Sequence, residues 1–586
     1  MTLTDTASAQ YDSHLHNFIF QNRISCNIMS SVKQENHNTI FKLEPIVNWR
    51  FLPVSLFCLI FQFIDLLNGI EKCWLVNSHF LTILKHNAVA WKYKNRVGVN
   101  QMLALKEYVN NSSANFSLYS VATKISVNLN DIECINNFPQ VKDLLVQYYD
   151  EDVEFTSSID PDIRLNFNLL SQLQTFTLNT NMQNIPYPIY KSLIYMNNLT
   201  SLQLIGSSFE RETLKHLSEA VTSMKKLQSL NLSYMYVHNS FFHNLECLKI
   251  LDEEFLVSLA PTITSFIMKD MRAFSFSVTN YILGTIAKFN RLTELDISEN
   301  SFSSLALNNL FSNFSKFNVL ETFTITFRDI YFPLGSQRNQ YSQVLKDLMI
   351  SFRGAITTNI IPTLRILDFT DIFAEAWPKA QSEIICQTKT LQLVSSTTRQ
   401  NPDLFTFPML HTLQYSNLKE LGLELSYPVQ ERTEMFIEIQ QFLKKSSTIE
   451  NLQVLNLILR SSFKPGTNFG QDISNLKYLS HFSLSGYNLE LDDSDYDLFR
   501  KFPSKSTSPF LEELGFEACF LDDSRFLAFE ASLFQYITKN NTTTHNKNNL
   551  RNISLCDNQI SEQTMEKFKS RLKQHQFNFN YLVVVK

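Results

Sequence analysis

The stretch Leu292-Thr-Glu-Leu295-Asp-Ile297-Ser-Glu-Asn300-Ser-Phe302 decides the fold. Apolar residues at its first, fourth and sixth positions suit a short strand, whose side chains alternate between two faces. The Asn at the ninth position can satisfy backbone groups in the turn that follows, so buried amides do not go unpaired. Phe302 then returns to the core. Cys519 followed by Leu521, and Asn558 followed by Ile560, complete the same pattern in two other places. Cys519 therefore reads as a structural turn cysteine rather than a nucleophile.

Outward from this stretch the spacing recurs. Units begin at Leu173, Leu199, Leu227, Leu320, Leu364, Leu418, Leu452, Leu479, Leu511 and Leu550, and weaker ones at Val141, Ile263, Thr388 and Phe579. Several starts lie 26 to 29 residues apart and others stretch to 44, implying inserted loops, notably over 327–362. A sustained period separates a repeat from a chance apolar strand. Between the units, Arg211–Met224, Glu434–Lys445 and Ser561–Gln574 place apolar residues at three- and four-residue spacing, which predicts helices. The repeat is identified as the leucine-rich-repeat signature, and a strand plus a helix per unit resembles the ribonuclease-inhibitor type. The expected fold class is α/β: a leucine-rich-repeat solenoid over 121–586, with parallel strands on the concave face and helices outside.

Ahead of the repeats, Leu52-Pro53-x-x-Leu56 leads to Ile60-Phe61-x-x-Ile64, Ile70, Leu75-Val76, Phe80 and Trp91. Proline in a first helical turn wastes no hydrogen bond, and Leu56, Ile60, Phe61 and Ile64 form one apolar stripe. Two or three short helices in about 45 residues bury too little surface to be independently robust. The segment 45–96 resembles an F-box, a small all-α unit, with Leu52, Pro53, Leu56, Ile60, Phe61, Ile64, Ile70, Val76, Phe80 and Trp91 at the family's apolar positions. The turn between helices is one residue too long, and Leu59 replaces a usually polar residue. The resemblance implies docking on the Skp-family linker subunit, and hence on the cullin scaffold, of an SCF-type ubiquitin ligase. Leu52, Pro53, Leu56, Ile60, Phe61, Ile64, Val76, Phe80 and Trp91 would form the linker-subunit contact or the packing that shapes it. Residues 1–44 are polar and aperiodic and read as a disordered arm; 97–120 read as a linker.

Hydrophobic residues make up 44% and charged residues 18% of the 586, so a sizeable core is available. A net charge of −5 gives no strong field for nucleic acid or an anionic membrane. Eight scattered cysteines without CxxC or metal-ligand spacing fit a reducing compartment. Residues 1–20 lack the parts of a secretory signal. Phe51–Leu67 is too short for a membrane span and contains Pro53, Gln62 and Asp65. The expected location is intracellular, cytoplasmic or nuclear.

On each strand, the residues between the core positions face outward. These columns collect Glu294, Asp296, Asp368, Glu420, Glu424, Glu513 and Glu517, with Lys269 as the clear counter-charge. Acidic or phosphorylated motifs are captured by clustered Arg and Lys, so a client on this face is expected to present a basic or neutral polar surface. The plainer expectation is a solvated polar face. No phosphate loop, HExxH, GxGxxG or zinc constellation is present. The acidic run 492–497 lacks the glycine and terminal glutamate of a calcium loop. No cofactor, no metal and no catalysis by the chain itself are expected.

The function expected is that of a substrate-recognition adaptor of an SCF-type ligase, the repeats holding the client. The alternative is an intracellular leucine-rich-repeat scaffold or inhibitor without a ligase role. A third reading, a small-GTPase regulator, would need a loop arginine such as Arg328 or Arg460.

Overall fold

A computed structural model describes residues 97–98, 124–128, 135, 140–147, 167–180, 187–209, 211–237, 250–271, 282–327, 330–331, 338–378, 384–395, 407–425, 433–444, 449, 451–459, 469–486, 496–504, 506–519, 521–542, 550–574 and 581–583. The arm 1–44, the F-box-like segment 45–96, Arg328, Arg460 and most of the acidic run lie outside the described residues. The chain divides into two compact units, Met1–Val127 with Cys134–Asp143, and Asn128–Glu133 with Leu144–Lys586. In the first, Val97–Gly98 pairs in parallel with Ile125 and Ser126, so a strand stands where the sequence suggests a linker. Lys124 faces Asp143 there at 3.9 Å.

The second unit is built on consecutive parallel strands: β1 (Thr175–Asn179), β2 (Ser201–Ile205), β3 (Ser229–Asn231), β4 (Ser265–Ile267), β5 (Glu294–Asp296), β6 (Thr322–Thr326) and β7 (Thr363–Phe369). They continue as β8 (Thr390–Ser395), β9 (Glu420–Leu425), β10 (Val454–Leu459), β11 (His481–Gly486), β12 (Glu513–Glu517), β13 (Asn552–Ser554) and β14 (Tyr581–Val583). One row of fourth-position residues runs in register from end to end: Phe176 beside Leu202, Leu202 beside Leu230, and so on through Leu364, Leu421 and Phe482 to Ile553 and Leu582. First, fourth and sixth positions are buried, as Leu292, Leu295 and Ile297 illustrate. Burying each such side chain contributes about 1.5–3 kcal/mol. This unit is a leucine-rich-repeat solenoid.

The turn after each strand has its own backbone rule. Positive φ occurs at Tyr234, Asp270, Glu299, Asp368, Ala518 and Asp557, and at Gly206. Counted from the first core residue, all seven occupy the eighth position of their repeats. The ninth residue then turns inward, and Met235, Met271, Asn300, Phe369 and Cys519 are all buried there. Asn300 performs the expected task. Its Nδ2 donates to the carbonyls of Met268, Ile297 and Ser298, and its Oδ1 accepts from Met271 N–H at 2.9 Å. Asn558 does the same for the preceding repeat, accepting from Cys519 and Leu521 N–H and donating to Phe516 O at 2.7 Å. Cys519 is buried with its Sγ 3.3 Å from Leu484 O, and burial pushes its thiol far above the usual range. The structural reading of this cysteine therefore fits its surroundings.

One repeat frame needs correction. The spacing Leu364-x-x-Leu367-x-Phe369 gives way to Ile361-x-x-Leu364-x-Ile366, all three buried. Pairing decides it: Phe323 lies beside Leu364 and Ile325 beside Ile366, while Leu367 faces Thr326 and is half-buried. A register shift between Ile366 and Phe369 accommodates Asp368 at φ 48°. In other repeats the second- and third-position N–H groups share one carbonyl of the preceding repeat; Pro362 removes the first of these donors, leaving Thr363 N–H alone on Glu321 O, at 2.9 Å.

Helices return the chain between strands. α1 (Arg211–Ser223), α4 (Thr433–Lys444) and α6 (Glu562–Gln574) fall where the periodicity predicts them. α2 (Ser304–Ser312) starts at Ser303, whose side chain accepts from Ala306 N–H and satisfies a donor that the first helical turn leaves free. The long insertion holds α3 (Arg338–Thr358), a helix rather than an open loop. Phe352 anchors it, with ring centroids 5.0 Å from both Phe311 and Phe327. α5 (Asp523–Thr542) packs near α6, where Arg571 Nη1 meets Glu530 Oε2 at 3.0 Å. No helix among the described residues is long and apolar enough to cross a membrane.

Candidate functional site

The strand face is assembled from third, fifth and seventh positions. Glu294, Glu420 and Glu513 hold third positions, Asp296 a fifth, and Glu424 and Glu517 sevenths. All six point away from the buried rows. Asp368 does not join them: it sits in the eighth-position turn, and the outward fifth position of its strand belongs to Arg365. Arg365 is exposed; a frame starting at Leu364 would give it a second position instead of a place on the face. His481 is a further nitrogen base on the face, with Nε2 3.7 Å from Glu513 Oε2.

Most of these carboxylates are held laterally by the neighbouring strand. Ser265 Oγ donates to Glu294 at 2.7 Å, Thr390 Oγ1 to Glu420 at 3.1 Å, and Asn552 Nδ2 to Glu513 at 2.6 Å. Ser554 Oγ donates to Glu517, also at 2.6 Å. Such bonds orient the carboxylates across the sheet while Glu420 and Glu513 stay exposed. β9 and β12 carry nearly the same sequence, Glu420-Leu-Gly422-Leu-Glu424 and Glu513-Leu-Gly515-Phe-Glu517. In both, a glycine holds the fifth position between two carboxylates; Gly422 is half-buried and Gly515 is buried. A Cβ added at Gly515 would come 3.2 Å from Ser483 Oγ, so this gap is already snug on one side.

A second cluster lies at the ends of β3, β4 and β5. Lys269 Nζ meets Glu299 Oε1 at 3.0 Å and sits 5.9 Å from the Tyr234 ring centroid. Burial pulls the Lys269 ammonium down, yet Glu299 and Tyr234 outweigh it and its pKa is raised. Burial raises the Tyr234 phenol and also the Asp296 carboxyl, the latter opposed by hydrogen bonds from Ser298. Lys269 is thus engaged locally and does not neutralise the Glu420–Glu517 region. Among the described residues no group of three His, Cys, Asp or Glu could hold a metal ion.

No family model matches the chain. No curated protein matches it either. Among solved structures, it is similar to Rad7 in complex with Elc1 from yeast, with 12% identity, 96% of each chain covered and a TM-score of 0.33. An internalin from Listeria monocytogenes gives 11% identity over 72% of this chain and 90% of that one, at a TM-score of 0.29. A Bacteroides fragilis protein gives 13% identity over 44% and 68%, at 0.25. Likenesses at these scores define no family and carry no activity across.

Proposed function

We propose that the chain is a substrate-recognition adaptor of an SCF-type ubiquitin ligase. The observation that carries this is the F-box-like series Leu52, Pro53, Leu56, Ile60, Phe61, Ile64, Val76, Phe80 and Trp91, followed by a leucine-rich-repeat solenoid. In this reading the F-box-like segment docks on the Skp-family linker and through it on the cullin, while the strand face holds the client. The chain makes and breaks no bond. It raises the local concentration of client lysines near a charged conjugating enzyme.

The client-binding part rests on the two Glu-x-Gly-x-Glu strands. Each offers two carboxylates flanking a glycine, which favours a basic client surface over an acidic one. The test of the adaptor reading is Leu52→Ala with Pro53→Ala. Co-purification of the linker is expected to vanish while the thermal unfolding of the repeats stays put; retained co-purification rejects the assignment. The scaffold alternative predicts client binding with 1–96 deleted and a client lifetime indifferent to the protein.

A further inference from the structure

We propose that the edge of the sheet at which the strands begin binds an extended acidic segment of a partner protein, anchored on a stacked pair of exposed aromatic rings. This site is separate from the strand face and does not depend on the adaptor reading.

Two rows of side chains define the edge. Second positions are locked in register by backbone bonds: Lys419 N–H to Lys389 O at 2.8 Å, then Gln453 to Lys419, Ser480 to Gln453, Glu512 to Ser480, and Arg551 to Glu512 O at 2.8 Å. The other row is the residue just before each first core position. There Tyr478 and Phe510, in neighbouring repeats, stack with centroids 6.0 Å apart and planes 18° apart. They remain 46% and 45% exposed. Ile360 holds the same place further back and is 64% exposed. The repeat does not require apolar residues here, because Asn198, Arg291 and Asn417 occupy the equivalent place elsewhere.

Charge selects the occupant. Lys389, Lys419 and Arg551 in the second row, and Lys477 next to Tyr478 but outside both rows, are exposed and make no ion pair among the described residues. From Gln387 to Arg551, Glu512 is the single acidic residue in these two rows. An acidic segment with apolar side chains satisfies both the lysines and the rings. A long polyanion such as single-stranded nucleic acid fits less well, because Glu420, Glu424, Glu513 and Glu517 lie on the adjoining face and would repel its continuing phosphates. Strand steps of roughly 4.8 Å place Ile360 about 24 Å from Phe510, which an extended chain of about eight residues spans. The occupant is therefore an acidic octapeptide-sized segment with an apolar residue near each end.

Fluorescence anisotropy on the full chain tests this, with a fluorescein-labelled Glu-rich octapeptide bearing Phe at both ends as probe. Saturable binding that weakens with salt is expected. Lys419→Glu with Arg551→Glu should weaken it at least tenfold, and Tyr478→Ser with Phe510→Ser at least fivefold. Both pairs are on the surface, so thermal unfolding should match the parent chain. Glu420→Gln with Glu513→Gln on the strand face should leave the peptide bound as tightly or tighter. Absence of saturable binding, or edge variants that bind like the parent, overturns the proposal. A single-stranded oligodeoxynucleotide displacing the peptide and binding more tightly through the same residues would overturn it in favour of nucleic acid.

Discussion

At the scale of single residues, the eighth-position turn separates residues that fit their backbone from residues that merely endure it. Gly206 adopts positive φ at no steric cost, and Asp270, Asp368 and Asp557 tolerate the left-handed region better than most side chains. Ala518, at φ 48°, has no such excuse. Ala518→Gly should therefore raise the unfolding free energy measured in urea by about 0.5–1 kcal/mol, since left-handed strain outweighs the added flexibility of glycine. Asn300→Ala should act in the opposite direction. It strands the Met271 N–H and three carbonyls in a buried turn, which should cost about 2–3 kcal/mol in the same measurement. The Asn300, Cys519 and Asn558 turns were legible in the sequence because their side-chain chemistry is specific to the ninth position. Asp368 was misplaced because Ile361, Leu364, Leu367 and Phe369 offer two overlapping apolar frames. Strand pairing chose between them.

At the scale of elements, the helices predicted from strong periodicity were found to within two residues, whereas α3 was not foreseen. Its first half, Arg338 to Lys346, is mostly polar, and its length interrupts the repeat period. What fixes α3 is distant in sequence: Phe352 is fully buried among Phe311, Phe327 and Trp377. Phe352→Ala should open a cavity costing about 3–5 kcal/mol, read as lost protection of α2 and α3 amides in hydrogen exchange. The α5–α6 contact makes a pH prediction. Burial raises the Glu530 carboxyl, opposed by Arg571. A carboxyl raised on folding contributes stability fully present below the unfolded glutamate value and lost as pH rises through the folded one. Removing the arginine enlarges that shift. Arg571→Ala should thus cost little near pH 4 and more at pH 7.5. About 2 kcal/mol is expected at the higher pH, less than for a wholly buried pair because the Arg571 side chain is 57% exposed. A loss equal at both pH values would show that Arg571 does not shift the titration of Glu530 and stabilises by packing alone.

At the scale of the whole molecule, the second unit sorts its charge by surface. Carboxylates gather on the strand face at β5, β9 and β12, and exposed lysines along the edge where strands begin. Only the positional frame of the repeats reveals this, since a net charge of −5 over 586 residues averages it away. The strand face was legible in outline, because alternation assigns outward positions without coordinates. The glycine gaps between carboxylates and the lateral bonds from Ser265, Thr390, Asn552 and Ser554 depend on which strands are neighbours. Reversing Glu420, Glu424, Glu513 and Glu517 to Lys should weaken client capture at least tenfold and leave linker docking untouched, checked by pull-down of each partner. Unchanged capture would move the client to another surface.

The most direct measurement is affinity purification of the full chain beside a chain lacking 45–96, followed by identification of what co-elutes. The full chain should bring down a Skp-family linker, a cullin and a client with a basic surface, and the shortened chain should keep the client but lose the linker and cullin. A full chain that retains its client with no linker at all would contradict the adaptor function.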